Sequence, residues 1–355
     1  MKNMRNFFLI FIGTAFLMAS MDVLAVAKTN APPKKESPVR TVTILSSMDG
    51  SEQKALFYVP PGSAPDQEGD PVPLLVRLHT WGGKYDQSKG HPNKKWVMIA
   101  PDFRGPNIRP EACASKLAIQ DVLDAVEYAK KNARIDESRI YLSGWSGGGH
   151  MALMMATKAP DIWAGVSSWV PISDLVAWRA FHGAGGYGKA CDKACGGAPG
   201  TPATDAEYKA RSPINFLPAA KGVPIDINAG IHDGHKGSVP ISQSLYAFNV
   251  LAEANGLKDK QISEEDIQFM TREEKVPTAL AGETEKDPER RLAILFRRTA
   301  GPVRITLFEG GHTAEAGAAY NWLERQKKGT PADFKVPQSK KMKKKPASDV
   351  QDVAK

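Results

Sequence analysis

Cysteine is scarce, with three in 355 residues. Cys191 and Cys195 sit in a Gly-rich segment and are spaced to close a small disulfide loop in an oxidising compartment, leaving Cys113 unmatched. The same pair beside His182 falls short of a complete zinc ligand set, and so does His232-Asp233-Gly234-His235. No metal and no cofactor are therefore expected. Long apolar runs are also missing. Phe7 to Met18 is too short to span a bilayer comfortably, and no stop-transfer run follows it. No Cys follows that run either, which argues against a lipoprotein. Internal repeats are absent. Charge of one sign is not in large excess. The formal net charge is +8, and +4 of it lies in the last 27 residues as seven Lys against three Asp. A further +1 lies in the first 27 residues, so only +3 remains on the body, too little to argue for nucleic acid as a partner.

The two ends have compositions of their own. Lys2 and Arg5 precede the short apolar run, and Ala25-Val26-Ala27 is a small-x-small cleavage site. Residues 1–27 are expected to be a signal peptide that exports the protein to the periplasm or the extracellular space, with no stable membrane span after cleavage. Residues 28–38 are a Pro- and Lys-rich linker. Residues 329–355 are expected to be a disordered Lys-rich tail, because Lys340 to Lys345 carries no apolar period.

Between them, residues 39–328 alternate strand and helix. Thr41–Leu45 and Ala55–Val59 flank a Met48-Asp49-Gly50 turn and predict an N-terminal antiparallel hairpin. Pro73–His79 and Trp96–Ala100 are near-continuous apolar strands, as expected when both faces are covered. Glu111 to Asn132 sets Ile119, Val122, Val126 and Ala129 on one helical face, with Asp121, Asp124 and Lys130 turned away. Ser138–Leu142, Ala164–Val170 and Val223–Ala229 continue the strands. Ser238 to Asn255 predicts a helix capped by Ser238, and Ser263-x-x-Asp266 caps another. Ala293–Arg297 and Val303–Phe308 predict a second hairpin, and Ala314 to Lys327 closes the domain. The expected fold is a mostly parallel α/β sheet with right-handed crossovers. Residues 173–221 break the rhythm as a loop-rich cap insert, and 256–298 form an extra charged segment.

One stretch carries chemistry. Gly144-Trp145-Ser146-Gly147-Gly148 follows a strand and opens a helix. A Ser on such a sharp turn needs small residues two before and two after it, and its hydroxyl is lifted clear of the sheet. The hydroxyl becomes a nucleophile only with a base beside it and a third group to orient that base. Those groups follow in the order acid, then His, each after a strand. Asp233 is preferred as the acid over Asp226, which lies within its strand. His312, on a Gly310-Gly311 turn, is the expected general base. An oxyanion hole requires two preorganised N–H donors. Gly147 supplies one, and Thr80 or Trp81, in the Thr80-Trp81-Gly82-Gly83 loop, the other.

Gly144-Trp145-Ser146-Gly147-Gly148, Ser212-Pro213, Gly230-Ile231-His232-Asp233 leading to Val239-Pro240, and Gly310-Gly311-His312 together resemble the catalytic domain of the prolyl oligopeptidase family. They also resemble secreted α/β-hydrolase esterases. The resemblance runs from about Pro73 to Lys328 and implies an α/β-hydrolase fold with Ser146, Asp233 and His312 as its triad. Two features depart from the family pattern: the long step Gly234 to Ser238 between the acid and Val239-Pro240, and the long segment between acid and base.

The reaction expected is acyl transfer to water. An ester expels its leaving group more easily than an amide, so a carboxylic ester is the expected substrate, including a glycan ester. A short peptide is the alternative, as for a serine peptidase of the resembled family. Trp145, Trp178 and Tyr187 are candidates to stack on substrate, and Arg297 to meet an anionic group. A catalytically inactive binding protein is the reading from another class, and the presence of all three triad residues argues against it. Deleting residues 329–355 is expected to leave ester hydrolysis unchanged, as read from kcat/KM of the truncated and full chains.

Overall fold

The computed structural model describes residues 39–87 and 93–337. The expected signal peptide, the linker up to Pro38 and the Lys340–Lys345 run lie outside the described residues. In chain order the elements are β1 (Arg40–Leu45), β2 (Glu52–Tyr58), β3 (Val72–Leu78), β4 (Val97–Pro101), α1 (Lys116–Asn132), β5 (Ile135–Trp145), α2 (Gly147–Lys158) and β6 (Gly165–Trp169). Then come α3 (Leu175–His182), α4 (Gly186–Ala194), α5 (Pro202–Arg211), β7 (Ile225–Gly230), α6 (Ser242–Ala254), α7 (Glu264–Glu273), β8 (Ile294–Ala300), β9 (Val303–Phe308) and α8 (Ala316–Glu324).

The strands form one nine-stranded sheet in the order β1-β2-β4-β3-β5-β6-β7-β9-β8. The run from β4 to β9 is parallel throughout, and the two expected hairpins close the edges antiparallel. The central strands are apolar on both sides because helices cover both faces. Leu74, Val76, Ile140 and Leu142 pack with α1, α2 and α6. Leu75 and Tyr141 turn the other way, onto Trp322 and Leu323 of α8. No helix among the described residues is long and apolar enough to cross a membrane.

Several local expectations are corrected. Residues 173–221 are not loop-rich but hold three short helices. Asp174 caps α3 by accepting from the Val176 and Ala177 N–H groups, and Thr201 caps α5 with Pro202 just inside it. Each helix buries only two side chains, too few for a periodic signal among so many glycines. No disulfide joins Cys191 to Cys195, and all three cysteines are free and buried. Cys191 lies in α4, and the Cys195 N–H donates to its carbonyl at 2.9 Å. Helical i,i+4 spacing holds the two Cβ atoms about 5–6 Å apart, beyond the roughly 3.5–4.5 Å that a disulfide needs. Burial raises all three thiols, Cys195 to about 12, which keeps them protonated. The tail expectation starts too early: the Phe334 ring stacks on Trp322 at 5.6 Å and lies under the Arg304 guanidinium.

Asp121 is the largest departure. It is buried rather than turned outward, because it shares a stripe of α1 with Ala118, Val122 and Ala125. Its carboxylate accepts from Ser46 Oγ at 2.6 Å and Arg104 Nε at 2.6 Å. Arg104 has φ 76°, an unusual backbone for a long side chain, and so turns its guanidinium inward. There it also binds Asp49 in the β1–β2 turn, holding that carboxyl well below the usual range. One arginine thus pins the first hairpin to α1. Arg104→Ala leaves Asp121 buried and uncompensated, and should cost about 3–5 kcal/mol. The expected readout is a lower urea midpoint at unchanged slope.

Candidate active site

β5 ends at Trp145 and α2 begins at Gly147, so Ser146 alone makes the turn between them. Its φ is 56° and ψ −124°, a costly region for an L-residue that persists only where the surroundings impose it. The flanking glycines permit it. A methyl group on Gly144 would overlap the Gly148 carbonyl, and one on Gly148 would lie 2.5 Å from Leu78 O. The Ser146 N–H donates to Trp169 O at 2.8 Å, tying the turn to β6.

Asp233 follows β7 and His312 follows β9, which are neighbours. Their ladder continues past both strand ends: Ile231 N–H donates to Phe308 O and His232 N–H to Gly310 O, each at 2.9 Å. Gly230 lies so close to the Gly310 and Gly311 carbonyls that no side chain fits there. The result is His312 Nδ1 at 2.7 Å from Asp233 Oδ2. An ionised carboxylate only accepts, so Nδ1 carries a proton, and in the neutral imidazole Nε2 is the nitrogen with the free lone pair. Asp233 is itself fixed, its Oδ1 accepting from the Gly234 and Val239 N–H groups at 3.0 Å each. The long step from Gly234 to Ser238 wraps this pair. A methyl on Gly237 would press on the Asp233 carboxylate and lie 2.6 Å from His312 Cβ.

Asp226, the competing acid, points elsewhere. It is buried and accepts from Arg304 Nε at 2.7 Å, with Arg290 Nη2 at 3.6 Å. The structure thus joins Asp233 to His312 and sets Ser146 at the carboxyl end of the same sheet, two strands from the acid. Among the described residues neither Ser146 Oγ nor His312 Nε2 makes a hydrogen bond. Such contacts commonly tighten only when substrate is bound.

The Thr80–Trp81 loop lies directly against the Ser146 turn. A methyl on Gly147 would overlap the Trp81 nitrogen and sit 2.5 Å from its Cα. The Thr80 N–H already donates to Gln87 Oε1 at 2.8 Å, while the Trp81 N–H has no acceptor among the described residues. Gln87 carries no signal in the sequence, yet its amide decides which of the two donors is available.

The four substrate-facing candidates separate. Trp145 is 37% exposed, beside Ser146, and lines a cleft with Lys84, Tyr85 and Tyr320. Tyr187 is exposed, its ring 5.1 Å from that of Trp178. Trp178 itself is corrected: it is buried, its ring 4.6 Å from Trp81 and its Nε1–H bonded to Ser238 O at 2.7 Å. His182 donates to the same carbonyl, and Ser238 does not cap α6, which starts at Ser242. Trp178 therefore braces the insert against both the Trp81 loop and the acid loop. Arg297 is also corrected. It lies buried on β8, with its guanidinium engaged by Glu285 and Asp287 and its Nε by Thr306.

Residues 114–269 match the family model described as the prolyl oligopeptidase family. A curated relative, "Putative esterase NocK" of Nocardia uniformis subsp. tsuyamanensis, is 28% identical over 166 residues, covering 41% of this chain and 46% of that protein. A Mycobacterium tuberculosis puromycin-hydrolyzing peptidase superimposes with TM-score 0.52 and 19% identity, covering 81% of this chain and 39% of its own. Oligopeptidase B from Leishmania major gives 0.50 and 13%, covering 81% and 35%. The chain thus spans less than half the length of each of these proteins. The matches bear out the resemblance to this hydrolase family and the α/β-hydrolase fold. Gly147→Ala should drive the Trp81 loop away from the turn. A loss on the order of 10²–10³ in kcat is expected, the usual cost of one oxyanion donor, with a far-UV spectrum like that of the parent.

Proposed function

We propose that this protein is an exported serine hydrolase that cleaves carboxylic esters through an acyl-enzyme on Ser146. The single observation that carries this is the Asp233–His312 hydrogen bond of 2.7 Å at the strand ends that also present the strained Ser146. In this mechanism His312 Nε2 takes the Ser146 proton as Oγ attacks the substrate carbonyl. Asp233 holds the Nδ1–H and stabilises the imidazolium that forms. The Gly147 and Trp81 N–H groups receive the oxyanion. His312 then returns the proton to the departing alcohol, and a water activated by the same His releases the acid.

An ester rather than an amide is favoured because an alkoxide leaves with less help than an amine, and because one relative carries an esterase name. Exposed Trp145 and Tyr187, together with Phe181 on α3, offer faces that suit an apolar or sugar-bearing group. Hydrolysis of a short peptide is the second reading, supported by the family model over residues 114–269. Export is supported by the composition of residues 1–27.

A side-by-side assay on a short-chain aryl ester, an acetylated or feruloylated glycan and a proline-containing peptide amide tests both. Ester turnover should dominate, and Ser146→Ala and His312→Ala should each reduce it on the order of 10⁴-fold or more in folded protein. Full turnover by Ser146→Ala would remove the nucleophile from the mechanism. Faster cleavage of the amide would move the protein to the peptidase reading.

A further inference from the structure

The geometry points to His232 as a positioning residue, held as an imidazolium between Glu274 and Glu309, that fixes the loop carrying His312. This rests on His312 being the general base of the proposed hydrolase. His232 Nδ1 lies 2.7 Å from Glu274 Oε2, and His232 Nε2 lies 2.7 Å from Glu309 Oε1. A carboxylate accepts and a neutral imidazole has one N–H, so both contacts can be hydrogen bonds only when both ring nitrogens carry protons.

The three residues belong to three different parts of the chain. His232 precedes the acid Asp233. Glu309 stands between β9 and His312. Glu274 follows α7 as its C-cap, in the extra segment between acid and base, and takes a left-handed backbone with φ 53°. The other charged groups near this bridge are on the acid loop: His235 Nδ1 is 3.6 Å from Glu274 Oε1, and Lys236 adds positive charge near Glu274. The His235 ring also donates from Nε2 to Thr271 O. The bridge acts where the base loop begins, just beside Gly310 and Gly311, whose missing side chains leave that loop little internal restraint. On the far side of His312, Glu315 accepts from the Arg291 and Leu292 N–H groups, again from the extra segment.

The Glu309 and Glu274 hydrogen bonds raise the His232 imidazole above its ordinary 6.5. Its folded-state affinity for the proton exceeds that of the unfolded chain. The bridge is therefore complete below about pH 6.5 and is lost as pH rises through the raised value. Neutral His232 would present a lone pair to one of the two carboxylates, and that contact must open. Activity should then fall on an alkaline limb that belongs to His232.

The test uses the full chain. Long-range proton–nitrogen spectra of the ring nitrogens, with His232→Gln as the assignment control, should show His232 doubly protonated at pH 7. On an aryl ester, His232→Gln and Glu309→Gln should each lower kcat about tenfold or more, as misplacement of a catalytic group does. KM should change little, and the alkaline limb should disappear. A neutral His232 at pH 7, or variants with parental kcat and pH profile, would overturn the inference. If either variant does not fold, the parental titration and the other variant decide it. If the parent cleaves no ester or amide yet His232 is doubly protonated, the hydrolase reading falls and the charged bridge stands.

Discussion

β7 and β9 run side by side and parallel, and their hydrogen-bond ladder does not stop where the strands do. Ile231 and His232 continue it onto Phe308 and Gly310. The chain can do this only because Gly230 has no side chain to hold the two loops apart. Everything at the Asp233–His312 end of the site depends on that approach. It sets Asp233 against His312, gives the Gly234–Ser238 step something to wrap around, and brings Glu309 within reach of His232. A single methyl group at residue 230 would separate two loops that are otherwise almost 80 residues apart in sequence.

A second close approach organises the other end. Gly147 lets the Thr80–Trp81 peptide rest on the Ser146 turn, so the two backbones meet without a side chain between them. Trp178 then reaches from the insert to touch Trp81 and bond Ser238. The insert is thus less a lid over the site than a brace between its two halves. The extra segment from 256 to 298 has the same character: Glu274, Arg291 and Leu292 all hold the loop around His312. Both insertions build the walls around Ser146, Asp233 and His312.

Beneath the site lie buried charges. Asp226 binds Arg304 and Arg290, and Arg290 lies over the Trp169 ring at 5.0 Å. Arg290 is pulled down to about 10 by burial, which measures how unfavourable its setting is. Buried pairs of this kind contribute little net stability when intact and cost much when broken, so they fix geometry more than they add stability. Asp121 with Arg104 does the same at the first hairpin.

The order of strands and helices, the sharp turn at Ser146, and the position of Asp233 after a strand were all legible in the sequence. Each rests on something local: a period of two or of 3.6, a glycine beside a turn, an acid placed after a strand rather than inside it. The short helices of the insert were not, because caps and two buried side chains apiece leave no period. Asp121, Arg297 and Trp178 were misjudged for one reason. Polarity and aromatic character say what a side chain can do, but whether it is buried depends on partners far along the chain. Which of Thr80 and Trp81 offers its N–H was decided by Gln87, and the state of His232 by two carboxylates 42 and 77 residues away. Local chemistry set out the candidate parts of the site, and only the tertiary contacts determined which of them are left unpaired and which are held in place.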